Sequence, residues 1–165
     1  MIFVLFLYKR YKKVYFCTIK FKYMNRFHEI KVKEIRNLTH DSVEVIFDIP
    51  TDLNDLFKFK AGQYITIKKI INNEEIRRSY SLCSDPNTNE IAIGIKKVEN
   101  GRMSTFLVSK LRVGDMLEIM SPSGNFILNN NKNIIAICAG SGITPILSMI
   151  KSKKSVTAKY LKNKL

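Results

Sequence analysis

The run Arg78-Ser79-Tyr80-Ser81 places a cation, two hydroxyls and a phenol ring within four positions. On an extended strand residues two apart share a face, so Arg78 and Tyr80 lie on one side and Ser79 and Ser81 on the other. A guanidinium beside a ring suits a ligand with phosphate at one end and a flat ring at the other. The same residues would equally serve as a solvated strand carrying a surface tyrosine. Two further stretches invite the first reading. Gly101-Arg102-Met103-Ser104 precedes a short helical pattern, and Gly140-Ser141-Gly142-Ile143-Thr144-Pro145 follows the apolar run Ile134–Ala139. Strand, glycine-rich turn and helix is the opening βα unit of a dinucleotide-binding fold, in which backbone N–H groups at a helix start meet phosphate. A lone Gly-x-Gly also serves packing, so the order and separation of all three stretches carry the argument.

The elements that must position these residues are mostly strands. His28–Ile35 and Ser42–Ile49 alternate apolar and polar, with Val43, Val45, Phe47 and Ile49 on one face. Pro50 and the polar stretch to Asp55 end the second strand. Phe59-Lys60-Ala61-Gly62-Gln63-Tyr64 turns into a third, Asn72-Asn73 is a turn signal, and the strand with Arg78 follows. Asp85-Pro86-Asn87 is another turn, and Glu90–Val98 is a strand with Ile91, Ile93 and Ile95 on one face. Asn100-Gly101 turns again. Ser104–Leu111 reads as a helix with Ser104 as N-cap, Val113-Gly114-Asp115 ends it, and Met116–Met120 is a strand before Pro122-Ser123-Gly124. Many short strands with one short helix predict an antiparallel barrel or sandwich. After the polar linker Asn129–Asn133, Ile134–Ala139 reads as a strand buried on both faces and Ile146–Ile150 as a helix, with Pro145 in its first turn.

Composition narrows the class. The net charge of +14 resides in the ends: residues 1–23 and 151–165 each hold six Lys or Arg and no acid. Residues 24–150 hold 16 basic and 14 acidic residues, so a cationic folded face of the kind nucleic acid requires is not expected. Cys17, Cys83 and Cys138 are too widely spaced for a metal site or a disulfide framework, which fits a reducing compartment and cytoplasmic localisation. Cys83 and Cys138 are expected as small core residues, and His28 and His40 at the surface. No apolar stretch is long enough to span a membrane. The opening run Met1–Tyr8 carries its charges after it and no small-residue cleavage site, unlike a signal peptide. A basic-aromatic interfacial anchor is one reading of residues 1–23. The other, which we favour, is upstream sequence read as protein, with Met24 as the true start of a soluble domain.

In order, the stretches Phe59-Lys60-Ala61-Gly62-Gln63-Tyr64, Arg78-x-Tyr80-Ser81, Lys96-Lys97-Val98, Gly101-Arg102-Met103-Ser104, Gly114-Asp115, Pro122-x-Gly124-x-Phe126 and Ala139–Pro145 resemble the ferredoxin–NADP⁺ reductase superfamily. The likeness is strongest to the reductases that serve bacterial oxygenases, over residues 26–151. It implies a mainly β protein: a six-stranded antiparallel Greek-key barrel for FAD with one short helix, then the first βα unit of an incomplete α/β nicotinamide-binding domain. The implied division is a basic, aromatic extension at 1–23, the FAD-binding barrel at 24–129, the start of the NAD(P)-binding domain at 133–151 and a basic tail at 152–165. By that resemblance Arg78 pairs with the FAD pyrophosphate, with Ser79 beside it. Tyr80 packs on the isoalloxazine or ribityl part, and Ser81 hydrogen-bonds near flavin N5. Tyr80 and Ser81 are thus the candidates nearest the chemistry. The backbone of Ile95, Lys96 and Val98 lies along the flavin, though Lys96 and Lys97 also read as a solvated strand end. Gly101, Met103 and Ser104 present backbone N–H groups to phosphate. Gly140, Gly142 and Thr144 approach the NAD(P)H pyrophosphate, with Thr144 near the flavin as well. The implied activity is hydride transfer from NAD(P)H to FAD and electron transfer onward to an iron–sulfur acceptor, a ferredoxin or an oxygenase. The cofactors carry the chemistry, and no side-chain acid–base dyad is found.

The sequence departs from that family after Ile150, where Lys151–Leu165 shows no second buried strand and no further glycine-rich turn. A plant-type ferredoxin segment with four cysteines is absent as well. The expectation is a truncated product: a folded barrel with a poorly supported C-terminal appendage, an incomplete NAD(P)H site and apolar surface exposed at Ile134–Ala139. The alternatives are a flavin-binding module completed by a partner chain, or a basic protein acting through its tails.

Overall fold

A computed structural model describes residues 26–128 and 135–153. Six strands and two α-helices follow in chain order: β1 (Phe27–Thr39), β2 (Ser42–Asp48), β3 (Tyr64–Ile71), β4 (Glu74–Ser81), β5 (Ile91–Lys96), α1 (Arg102–Ser109), β6 (Met116–Met120) and α2 (Ile143–Ser152). All the strand pairs are antiparallel, in the order β4-β3-β6-β1-β2-β5. The two outermost strands of that order meet at one bridge, Leu82 to Ile93, supported by Cys83 N–H donating to the Ala92 carbonyl at 2.9 Å. The sheet is thereby closed into the expected barrel, which removes its free edges at that point.

Local sequence explains the hairpins. Asn72 and Asn73 both have positive φ, 53° and 61°, and form the two-residue loop between β3 and β4. That is the turn whose twist suits a hairpin, and asparagine tolerates it better than other non-glycine residues. Between β1 and β2 the Thr39 hydroxyl lies 2.7 Å from Asp41 Oδ1 and 2.6 Å from Ser42 Oγ, fixing the corner. Register shifts near Val32 and Asn37 let β1 run to Thr39, beyond the Ile35 the alternation predicts.

The inward faces supply one core. Ile30, Val32, Val45, Ile65, Ile67 and Ile93 are wholly buried. Helix α1 adds Met103 and Leu107 to that core, joined by Leu111. It starts at Arg102, two residues before the expected N-cap. Ser104 sits inside the first turn, where its hydroxyl accepts from Val98 N–H at 3.1 Å and donates to the Gly101 carbonyl at 3.2 Å.

Helix α2 packs on the outside of the barrel. Leu147 packs against Ile46, Cys83 and Ala92, while Ile146 and Met149 join Ala61. This corrects the expected appendage in part, because the helix is firmly seated. Residues 135–139 bear out the exposure but not the strand: they are non-helical and unpaired, with Ile135 93% and Ile137 94% exposed. A strand buried on both faces needs neighbours on either side, and none of the described strands pairs with it. Cys138 is accordingly exposed, not in the core, whereas Cys83 is buried as expected. His40 is exposed, but His28 is half-buried with its ring edge-on to Phe57, centroids 6.0 Å apart. The extension at 1–23, the linker Asn129–Asn133, Ile134, Cys17 and most of the basic tail lie outside the described residues.

Leu82 is fully buried at the barrel closure, so Leu82→Ala should cost about 2–5 kcal/mol in urea unfolding. Exposed Ile70→Ala should stay within about 0.5 kcal/mol. Equal effects would contradict the closure.

Candidate functional site

The chemistry-bearing residues gather along a seam. β4 and β5 touch at Leu82 and Ile93 and then part; beyond that bridge no pairing joins them among the described residues. Arg78, Tyr80 and Ser81 border the seam from β4, and Ile95, Lys96 and Val98 border it from β5 and the residue pair after it. The two strands are held on their far sides, β4 by β3 and β5 by β2. Their near edges therefore leave backbone groups for a ligand lying between them.

On β4, Ile76, Arg78 and Tyr80 share the inward parity. Ile76 is buried, and Tyr80 packs against the core with part of its ring exposed. Arg78 is exposed; among the described residues its guanidinium donates only to the Arg77 carbonyl, at 2.7 Å, and makes no ion pair. Its neighbour Arg77 is engaged, paired with Glu75 at 2.7 Å and stacked over the Phe27 ring at 5.2 Å. The two adjacent arginines thus differ in kind: one is held on the outer sheet face, and the other has no acidic partner among the described residues. A charge-assisted hydrogen bond to such an anion is worth about 1.5–3 kcal/mol. Burial pushes the Tyr80 hydroxyl up to about 12, opposed by the nearby Arg78 charge.

Ser79 is turned away, its hydroxyl 3.0 Å from Thr66 Oγ1 across the outer face of the hairpin. Ser81 is half-buried, and its hydroxyl has no partner among the described residues. Directly opposite Ser81 in the ladder stands Tyr64, which also bridges Ser123. Tyr64 is 37% exposed and its ring lies against Gly124. Sequence reading passed over Tyr64 as a site residue. It ends the Phe59–Tyr64 stretch and opens β3, but only the strand register shows that it adjoins Ser81.

On the β5 side, the Ile95 side chain is core and only its backbone faces the seam. Lys96 pairs with Asp41 at 3.4 Å, as a solvated strand end would, and Val98 is 60% exposed. The loop onward bends tightly, with Gly101 N–H donating to the Val98 carbonyl at 3.0 Å. A Cβ at Gly101 would stand 2.5 Å from Ser104 Oγ, so any other residue would displace the start of α1. Arg102 pairs with Glu74, tying that helix start to the beginning of β4. The Met103 side chain is buried, leaving its backbone as the only part a ligand could meet.

The third stretch forms a 3-10 turn, Gly140–Gly142, that leads into α2. Gly140 has φ +54°, a conformation glycine adopts without strain. Thr144 donates its hydroxyl to the Ser141 carbonyl at 2.9 Å, and its methyl group reaches Gly94 on β5. The turn therefore stands next to the seam. Cys83, behind the seam, is not poised for redox chemistry. Burial, with Glu44 beside it, pushes the thiol up to about 12.

A family model described as an oxidoreductase FAD-binding domain matches residues 29–127. One component of the 1,2-phenylacetyl-CoA epoxidase of Escherichia coli (strain K12) is 37% identical over 131 residues, 77% of this chain and 37% of its own. The flavohemoprotein of Burkholderia sp. (strain TH2) is 39% identical over 123 residues, 74% of this chain and 30% of its own. Among solved structures, phthalate dioxygenase reductase superposes with a TM-score of 0.66 at 30% identity, over 76% of this chain and 39% of that one. The flavohemoglobin of Malassezia yamatoensis, with bound FAD and heme, gives 0.65 at 30% identity, over 76% and 33%. The chain thus spans well under half the length of these relatives.

The raised values of Tyr80 and Cys83 mean that the fold favours their neutral forms. The unfolded chain, with the usual values near 10 and 9, loses these protons first. Their contribution is full below about pH 9 and disappears as pH rises toward about 12. The urea midpoint should fall across that window, and less steeply in Tyr80→Phe combined with Cys83→Ala. An unchanged slope would contradict the burial of both groups.

Proposed function

As the chain belongs to the oxidoreductase FAD-binding domain family, we propose that it holds FAD along the β4–β5 seam and belongs to a reductase that draws electrons from NAD(P)H. The observation that carries the reading is Arg78: an exposed guanidinium without an ion pair among the described residues, at the mouth of an open seam, two residues from a half-buried tyrosine. The residues fit the cofactor. Arg78 takes the pyrophosphate, and Gly101, Met103 and Ser104 offer backbone N–H groups at the start of α1. Tyr80 and Tyr64 supply ring surface on either side of Ser81, whose unpartnered hydroxyl donates at the reactive edge of the ring system. Ile95, Lys96 and Val98 contribute the opposing backbone edge. Ser79 acts through its backbone, since its side chain is committed to Thr66.

FAD, when bound, supplies the capacity to accept a hydride and release electrons singly. The chain's own contribution is orientation: the seam fixes the ring between two strand edges, and Thr144 covers it from the α2 side. Gly140 and Gly142 leave room for the pyrophosphate of NAD(P)H beside that cover. Residues 24–129 form the flavin unit in this proposal, and 133–151 begin the nicotinamide unit. The onward acceptor is an iron–sulfur centre or an oxygenase, by analogy with phthalate dioxygenase reductase and the epoxidase component. A second reading, a flavin-binding module whose nicotinamide site needs further strands supplied beside residues 135–139, is favoured by the exposure of Ile135 and Ile137.

Purified protein titrated with FAD should develop the shifted, resolved visible spectrum of bound flavin. Arg78→Ala should weaken binding about tenfold or more, the loss of one charge-assisted contact. Arg77→Ala should leave binding within about twofold, since Arg77 is committed to Glu75. Absence of flavin uptake by the unmodified chain would overturn the proposal.

A further inference from the structure

We propose that Gly94 is a positioning residue: its missing side chain sets how closely Thr144 and the Gly140–Gly142 turn cover the β4–β5 seam. The inference rests on reading that seam as the flavin site. Gly94 is the first residue of β5 beyond the closing bridge at Ile93, in regular register opposite Glu44. Its backbone is ordinary strand, so conformation does not demand glycine there. Space does. Ile93 and Ile95 point into the core, so position 94 points outward. A Cβ built there meets a single neighbour, Thr144 Cγ2, at 3.0 Å. Glycine weakens a strand interior, and its presence there commonly marks the close approach of another group.

The contact matters because α2 cannot slide to relieve it. Ser148, one turn beyond Thr144 and on the same face, donates to the Ser84 carbonyl at 2.7 Å. Ser148 is wholly buried, and Ser84 nearly so. Ser84 Oγ in turn accepts from Ala92 N–H at 3.1 Å, so the helix is fastened to the same two segments that close the barrel. At the far end, Asn87 Nδ2 donates to the Ser152 carbonyl at 3.3 Å. With the middle and end of α2 pinned, a side chain at position 94 presses on Thr144, whose hydroxyl is held by the Ser141 carbonyl, and through it on the first turn of the helix. Thr144 and the glycine turn then rise from the seam. A single alanine methyl asks a few tenths of an ångström of Thr144, whereas valine asks for more than the threonine methyl can yield.

The full chain, saturated with FAD, tests this by iodide quenching of the bound flavin's emission. The Gly94→Val quenching constant should rise about twofold or more as the seam opens to solvent, with Gly94→Ala between it and the unmodified chain. Thr144→Ser removes the offending methyl, so Gly94→Ala/Thr144→Ser should return to the Thr144→Ser value. Melting temperature separates a folding defect from an opened seam, since a merely structural role would move the melting temperature and not the quenching. Unchanged quenching in flavin-loaded Gly94→Val overturns the inference while leaving the flavin site intact. If the unmodified chain takes up no flavin, the site reading itself fails. The positional claim is then read from amide exchange at Gly142 and Ile143, whose N–H groups bond within the turn. Faster exchange in Gly94→Val supports it, and unchanged exchange overturns it.

Discussion

The pairing of Leu82 with Ile93 closes the barrel and, with no further β4–β5 pairing among the described residues, leaves the seam that we propose as the site. Had the ladder continued past this pair, the edges of β4 and β5 would satisfy one another and leave no backbone group for a ligand. Instead each strand is fixed firmly on its far side, by β3 or by β2, and past the bridge is unpaired on its near side among the described residues. The rigidity of the site therefore comes from the barrel, and its availability from the interruption. The buried isoleucines and valines lining the inner face hold both edges in place, as a functional site on rigid elements requires. At the same closure, Cys83 and Ser84 bond both backbone groups of Ala92, and Ser84 receives α2. One small region thus determines where the barrel ends, where the seam begins and where the second helix sits.

Charge is distributed along the seam with similar economy. Arg77 and Arg78 are adjacent in sequence and have the same chemistry. Alternation along β4 sends Arg77 to the outer face, where Glu75 and Phe27 hold it, and leaves Arg78 without an ion pair among the described residues. Lys96 is partnered by Asp41 and Arg102 by Glu74. An anionic ligand at the seam would consequently find an available guanidinium and a helix start, an arrangement that orients as well as attracts.

Much of this was legible in the sequence because it depends on local rules. Alternation in Ser42–Ile49 and Glu90–Val98 gave strands and faces, and Asn72-Asn73 gave a hairpin turn whose positive φ values the structure bears out. The parity of Arg78 and Tyr80 followed from the strand period alone. What was not legible depends on long-range pairing. Tyr64 becomes a neighbour of Ser81 only through the register of the β3–β4 ladder. Ser79 loses its hydroxyl to Thr66 for the same reason. Ser104 looked like a helix cap and proved to be a brace inside the first turn, since Gly101 needs no side chain to start the helix. Ile134–Ala139 has the composition of a buried strand, but composition cannot supply the neighbouring strands that would bury it. Cys138 is exposed on that account, while Cys83, of equal apolarity, lies under α2.

We propose that FAD occupies the opening between β4 and β5. Amide hydrogen exchange, measured residue by residue with and without FAD, tests it most directly. Exchange should slow at Arg78–Ser81, at Ile95–Val98 and at the start of α1, with little change on the outer faces of β1 and β6. Protection elsewhere, or a flavin-bound protein whose seam amides exchange as before, would contradict it.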